Sequence, residues 1–147
     1  MSPSINPRAC DTMTPSSRIY VAGHSGLIGS AIVRKLATAG FDNPIVRRHA
    51  ELELTDGAAV EAFFEAERPD FVVLAAGRVG GIMQNQATPA TFIDDNLSIQ
   101  LNVLRAAHRV GVTRLVLFGS SCMYPRECPQ PMAESALLTG HPEPTSL

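Results

Sequence analysis

No apolar run in this chain of 147 residues approaches the length that crosses a bilayer; runs such as Leu115-Val-Leu-Phe118 have the size of single β-strands. A membrane-spanning class is therefore not expected. Cysteine is scarce as well. Cys10, Cys122 and Cys128 are odd in number and form neither a C-x-x-C pair nor a set with matching histidines, which argues against a disulfide framework and against a zinc site. A reducing cytoplasm is the simplest compartment for such a chain. An excess of either charge is also missing: 12 basic residues against 14 acidic ones leave a net charge of −2, so no basic field points to nucleic acid. Repeats and low-complexity tracts are absent. Residues 1–17 carry Pro3, Pro7 and Pro15 among serines and threonines but lack an apolar signal-peptide core. They read as a disordered leader, with Met13 as an alternative start. What remains, at 45% hydrophobic content, is enough for one globular domain with a real core.

The most informative stretch is Arg18-Ile-Tyr-Val-Ala22 running into Gly23-His-Ser-Gly26-Leu-Ile-Gly29, an apolar strand that breaks on spaced glycines and becomes a helix. Gly23 can take the backbone angles of a tight turn, Gly26 leaves room for phosphates to approach the main chain, and Gly29 lets the helix pack close. Unpaired N–H groups at the helix start then face an anion, with the positive end of the helix dipole behind them. The spacing is G-x-x-G-x-x-G, not the commonest dinucleotide fingerprint, so the reading rests on the strand before and the amphipathic helix after as well as on the glycines.

Strands and helices then alternate. Leu27, Ile28, Ala31, Ile32, Leu36 and Ala39 recur at helical spacing, and Gly40 stands where the helix would stop. Pro44-Ile-Val-Arg47 reads as a second strand, and Asp56 as the N-cap of a helix through Glu67 that buries Val60, Phe63 and Phe64. Phe71-Val-Val-Leu-Ala75 reads as a buried third strand. Residues 91–110 read as a long helix with Ile93, Leu97, Leu101, Leu104 and Ala107 inward, closed by Gly111. Arg114-Leu-Val-Leu-Phe-Gly119 is the fourth strand, and the prolines from Pro125 onward allow only a brief helix at 133–138. This order predicts an α/β, Rossmann-type doubly wound parallel sheet occupying residues 18–147 and stopping after its fourth strand and loop.

Ligands of such sheets sit beyond the carboxyl ends of the strands. Arg47, Arg48 and His49 follow the second strand, where an NAD site usually places a carboxylate and where arginine suits a 2′-phosphate; a solvated basic loop is the plainer alternative. NADP(H) is favoured on this reading. Glu53 and Leu54 lie where adenine could rest, while Asp56 fits a helix cap as readily as a ligand contact. Ala75 and Ala76 begin a run of small residues that would either admit the cofactor or form a flexible loop. After the fourth strand, Ser120 could hydrogen-bond a substrate carbonyl and Cys122 could move a proton, although a cysteine there is also a common inert hydrophobe.

Four stretches in combination carry a more specific message. Ala22-Gly-His-Ser-Gly-Leu-Ile-Gly29, Leu74-Ala-Ala-Gly-Arg-Val-Gly-Gly-Ile82, Gly119-Ser-Ser-Cys-Met-Tyr-Pro125 and Gln130-Pro-Met-Ala-Glu-Ser135 make residues 18–145 resemble the N-terminal half of the GDP-L-fucose synthases. These are epimerase-reductases of the extended short-chain dehydrogenase/reductase, or NAD-dependent epimerase/dehydratase, family. The resemblance implies a GDP-sugar substrate, GDP-4-keto-6-deoxy-D-mannose, epimerised at C3 and C5 and reduced at C4 with hydride from NADPH. It implies that Ser120 belongs to the family's Ser-Tyr-Lys set and that Cys122 is one of two epimerisation acid/bases. It also implies that Gly23, Gly26, Leu27, Ile28 and Gly29 surround the pyrophosphate, that Arg47 meets the 2′-phosphate, and that Glu53, Leu54, Ala75 and Ala76 line the cofactor site. A cytoplasmic homodimer without nucleic-acid or membrane partners is the family's usual form.

Two departures accompany the match. Ser25 stands where relatives carry an arginine for the 2′-phosphate, which leaves Arg47 and Arg48 to supply that charge. The family's Tyr-x-x-x-Lys, in which lysine lowers the pKa of the proton-donating tyrosine, does not occur in these residues, nor does the histidine partner of Cys122. The chain is therefore expected to be an N-terminal fragment, inactive alone. The alternatives are a non-catalytic NADP(H)-binding or scaffolding module and one half of a split enzyme.

Overall fold

The computed structural model describes residues 12–144, so residues 1–11 of the expected leader and 145–147 lie outside the described residues. Its elements run β1 (Ile19–Ala22), α1 (Leu27–Thr38), α2 (Gly57–Glu67), β2 (Phe71–Leu74), α3 (Ile82–Ala87), α4 (Pro89–Val110) and β3 (Arg114–Leu117). The three strands are parallel in the order β1-β2-β3, with Ile19 beside Phe71 and Phe71 beside Arg114. No helix among the described residues is long and apolar enough to cross a membrane.

The continuous apolar runs of β1 and β2 are what a sheet covered on both faces requires. Successive side chains point to opposite faces, and each face has its own core. Ile19, Val21 and Phe71 meet Ile32, Val33 and Leu36 of α1 on one side. Tyr20, Ala22, Val72 and Leu74 meet Val60 and Phe64 of α2 and Ile99 and Val103 of α4 on the other. The helix ends follow local chemistry. Asp56 caps α2 by accepting from the N–H groups of Ala58 and Ala59 at 3.0 and 3.1 Å. Gly111, at φ 78°, turns the chain out of α4 while the Val112 N–H returns to the Ala107 carbonyl.

Several expectations are corrected. The second of the four expected strands, at Pro44-Ile-Val-Arg47, is only a bridge from Ile45 to Tyr20. Proline has no N–H to give a ladder, and the Val46 carbonyl is taken by the Arg47 guanidinium at 2.8 Å. Ile45 still bonds Ile19 and Val21 along the edge of β1 away from β2. α3 was not anticipated, and α4 begins at Pro89 because proline is tolerated in a first helical turn. Ile93, Leu97, Leu101 and Leu104 are 61, 52, 46 and 41% exposed, whereas Phe92, Ile99, Val103 and Ala106 face inward with the expected Ala107. The helix bears two apolar stripes separated by roughly 130°, and spacing alone does not say which one meets α2. The brief helix expected at 133–138 is a single 3-10 turn at Glu134–Ala136, and the strand expected through Gly119 ends at Leu117.

Candidate functional site

The chain passes outside β1 at Ile45 and then crosses back to β2, so its direction of winding reverses between β1 and β2. At such a point the loops leaving the two strands diverge and open a crevice. A cleft of about 610 Å³ lies there. Gly23, Ser25 and Gly26 form one side, Ala75, Ala76 and Gly77 another, and Arg47, Glu53 and Leu54 a third; Tyr20, His49, Leu52, Thr55, Arg78, Asp95 and Ile99 complete the lining.

The glycine turn has the shape that holds an anion. Gly23 takes φ 80°, and a Cβ there would meet the Ala76 nitrogen at 2.6 Å, so the loops after β1 and β2 touch through backbone. A Cβ at Gly29 would lie 2.1 Å from the Gly23 carbonyl oxygen, which is why α1 can press against the turn that feeds it. Gly26 differs: an added Cβ meets only the Gly23 oxygen, at 3.4 Å, and the residue faces the cleft. Protein packing does not demand glycine there, whereas a ligand approaching the backbone does. α1 has no side-chain cap, and the Leu27, Ile28 and Gly29 N–H groups have no backbone acceptor among the described residues. These donors, at the positive end of a helix of 12 residues, fit a pyrophosphate.

The other walls are held by α4. Asn102 donates to the carbonyls of Leu54 and Thr55 at 3.0 and 3.1 Å. Asn96 accepts from the Arg78 N–H at 2.8 Å and donates to the Arg78 carbonyl at 3.0 Å and the Phe92 carbonyl at 2.8 Å. The Arg78 guanidinium pairs with Asp95 at 2.7 Å and lies over the Phe92 ring. The loop after β2 is thus pinned at Arg78, and its small residues present backbone to the cleft. Glu53 is held below the usual carboxylate range, first by the Thr55 N–H at 3.0 Å, with His49 at 2.6 Å adding to it. Burial pushes the Tyr20 hydroxyl up to about 12, against a smaller opposing effect of Arg47.

Of the residues singled out from sequence, Gly23, Gly26, Arg47, Glu53, Leu54, Ala75 and Ala76 converge on this cleft. Leu27, Ile28 and Gly29 stand at the start of α1 outside its lining; the Leu27 and Ile28 side chains are exposed and Gly29 is buried behind the turn. Ser120 and Cys122 follow β3, also outside the lining, and are exposed. The Ser120 hydroxyl oxygen accepts from the Cys122 N–H at 3.1 Å and caps the turn Ser121–Met123. Arg48 is exposed and lies outside the cleft lining. Sequence reasoning missed Tyr20, Arg78, Asp95 and Asn96. The signal available for the last was an amide among the polar positions of a long helix, and only the tertiary fold aims it at the loop after β2.

A parallel sheet covered on both faces, with a glycine turn and a cleft at the point where winding reverses, defines a Rossmann-type nucleotide-binding domain. Residues 19–147 match the NAD dependent epimerase/dehydratase family, and the chain belongs to that family. It is 51% identical over 146 residues to GDP-L-fucose synthase 1 of Arabidopsis thaliana, covering 99% of this chain and 45% of that protein. It is 49% identical over 129 residues to GDP-L-fucose synthase of Escherichia coli, covering 88% of this chain and 40% of that protein. Among solved structures, MlghC, a GDP-mannoheptose C4 reductase from Campylobacter jejuni with NADP bound, superposes with TM-score 0.85 at 39% identity, covering 92% of this chain and 43% of that one. A GDP-L-fucose synthetase from Naegleria fowleri bound to NADP gives 0.78 at 26% identity, covering 92% and 40%. The chain therefore spans less than half the length of these relatives.

Proposed function

We propose that this chain binds NADP(H) in the cleft between β1 and β2 and forms the cofactor-binding part of a GDP-L-fucose synthase-type epimerase/reductase acting on GDP-4-keto-6-deoxy-D-mannose. The observation that carries the reading is the pairing, in one cleft, of an open Gly26 beside an uncapped helix start with a basic residue, Arg47, on another wall. The first suits a pyrophosphate and the second a 2′-phosphate. Relatives named as GDP-L-fucose synthases support the substrate.

When bound, the cofactor supplies hydride to the sugar ketone. The chain's own residues orient and move protons. The Ser120 hydroxyl oxygen is occupied by the Cys122 N–H, so its hydrogen is left to donate to the substrate carbonyl. That donation also acidifies the α-carbons, because charge developing on the enolate oxygen is stabilised. Cys122, on the same turn, takes the α-proton as the thiolate and returns it as the thiol. Reduction needs a further proton donor of the Tyr-x-x-x-Lys kind, a motif that does not occur within these 147 residues.

Fluorescence titration with NADPH and NADH tests the cofactor reading: NADPH binds more tightly, and equal affinity or no binding overturns it. With a polypeptide carrying the Tyr-x-x-x-Lys pair supplied, solvent deuterium uptake into the keto-sugar tests the proton chemistry. Cys122→Ser lowers that uptake by about 10²–10⁴-fold and leaves NADPH affinity unchanged. Unchanged uptake removes Cys122 from the mechanism.

A further inference from the structure

We propose that Asn102 is a positioning residue through which the cleft reads the adenine base of its dinucleotide, by holding the backbone at Leu54 and Thr55; this rests on the reading of the cleft as an NADP(H) site. Asn102 lies on α4, outside the cleft lining, whereas Glu53, Leu54 and Thr55 belong to that lining. Its Nδ2 donates to the Leu54 carbonyl at 3.0 Å and to the Thr55 carbonyl at 3.1 Å. Gly57 makes room for this contact, since a Cβ there would meet Asn102 Oδ1 at 3.0 Å. The neighbouring groups are paired as well. The Thr55 N–H donates to Glu53 Oε1 at 3.0 Å, the Asp56 N–H to the Glu53 carbonyl at 3.2 Å, and the Asp56 carbonyl accepts from the Val60 N–H at 3.0 Å. From Leu54 to Asp56 one backbone group is left over: the Leu54 N–H has no acceptor among the described residues, although Leu54 is only 8% exposed. A backbone donor at so buried a residue calls for a partner, and the cleft that Leu54 lines is where a ligand supplies one.

The strand order says which half of a dinucleotide meets this wall. The glycine turn follows β1, Ser120 follows β3, and residues 47–55 lead away from the Ile45 bridge on the edge of β1 opposite β2. A nicotinamide directed towards Ser120 therefore leaves the adenosine half beside Leu54. Adenine N1 is a bare acceptor next to the 6-amino group, so N1 takes the Leu54 N–H. The Glu53 carboxylate suits the amino group, because four acceptor sites leave room beside its bonds to Thr55 and His49. Hypoxanthine presents the opposite pattern, with hydrogen on N1 and oxygen on C6. Donor then faces donor, and oxygen faces carboxylate. Since α4 packs on β2 through Ile99 and Val103, a segment tied to α4 by Asn102 keeps its register against the sheet. Released from Asn102, the segment turns more freely and its base preference fades. The base is common to NADPH and NADH, so Asn102 acts on both alike.

The test measures Kd for NADPH and for reduced nicotinamide hypoxanthine dinucleotide phosphate, on the chain and on Asn102→Ala and Asn102→Asp variants. The parent binds the adenine form about tenfold more tightly. Both variants remove the donor that holds Leu54 and Thr55, and in each the ratio of the two Kd values falls about three- to tenfold, with the hypoxanthine value unchanged. An unchanged ratio, or equal weakening of both nucleotides, makes Asn102 merely structural and overturns the inference. If neither variant folds, amide hydrogen exchange on the parent decides: saturating NADPH slows exchange at Leu54 at least about tenfold more than the saturating hypoxanthine form, and equal protection overturns the inference. A parent that binds NADPH without preferring adenine removes this inference alone. A parent that binds neither nucleotide removes the cofactor reading, and the inference with it.

Discussion

Gly26 and Gly29 respond differently to an added methyl group, and the contrast separates ligand binding from packing. Gly29→Ala places a carbon 2.1 Å from the Gly23 carbonyl, a backbone atom that cannot yield, and costs about 3 kcal/mol or more in urea denaturation. Gly26→Ala meets that oxygen only at 3.4 Å, changes stability by about 1 kcal/mol or less, and weakens NADPH at least about tenfold by filling the approach to the turn. Equal NADPH affinity in Gly26→Ala and the parent would place the pyrophosphate elsewhere. Tyr20 offers a test by pH. Its folded-state value of about 12 lies above that of an exposed tyrosine near 10, so the protonated ring stabilises the fold fully below pH 10. That stability, about 2–3 kcal/mol, is lost as pH rises towards 12. Tyr20→Phe has no such hydroxyl, and the stability difference between parent and variant therefore shifts across this window. Parallel pH curves for the two would show that Tyr20 does not titrate with folding.

Each helix joins local grammar to a tertiary choice. The N-cap at Asp56 and the glycine stops at Gly40 and Gly111 are set by one or two residues, and all are legible in sequence. Which apolar stripe of α4 turns inward is not local. α2 and β2 meet the stripe that carries Ile99 and Val103, leaving Ile93, Leu97, Leu101 and Leu104 outside. Val103→Ala is therefore expected to cost about 2 kcal/mol and Leu101→Ala less than about 1 kcal/mol in this chain, by urea midpoint at constant m. The reverse order would mean that α4 is rotated about its axis. α4 also supplies Asp95 and Ile99 to the cleft lining, and through Asn96 and Asn102 it holds the segments at Arg78 and Leu54 that form the other walls, so the helix that builds the core also fixes the site.

At the scale of the molecule, the cleft is lined from β1, from the loops after β1 and β2, from the segment between Ile45 and α2, and from α4. A ligand seated there ties together segments that otherwise meet only through the sheet. NADPH at a hundredfold excess over its Kd adds about 2.7 kcal/mol, which raises Tm by roughly 5–10 °C for a domain of this size. NADH at the same concentration raises it less. Equal shifts from the two cofactors would leave Arg47 without a role in choosing between them.

By itself the sequence determined the alternation of strand and helix, the glycine turn, the cap at Asp56 and the cleft residues Gly23, Gly26, Ala75 and Ala76 that follow β1 and β2. These depend on side-chain period, on φ freedom and on hydrogen bonds a few residues long. The bridge at Ile45, the inward face of α4, the Asn96 clamp on Arg78 and the Asn102 hold on Leu54 and Thr55 were decided by tertiary structure alone. Each joins segments far apart in the chain, as Leu54 and Asn102 are, and their meeting depends on how β1, β2 and the helices cross and pack rather than on any local pattern.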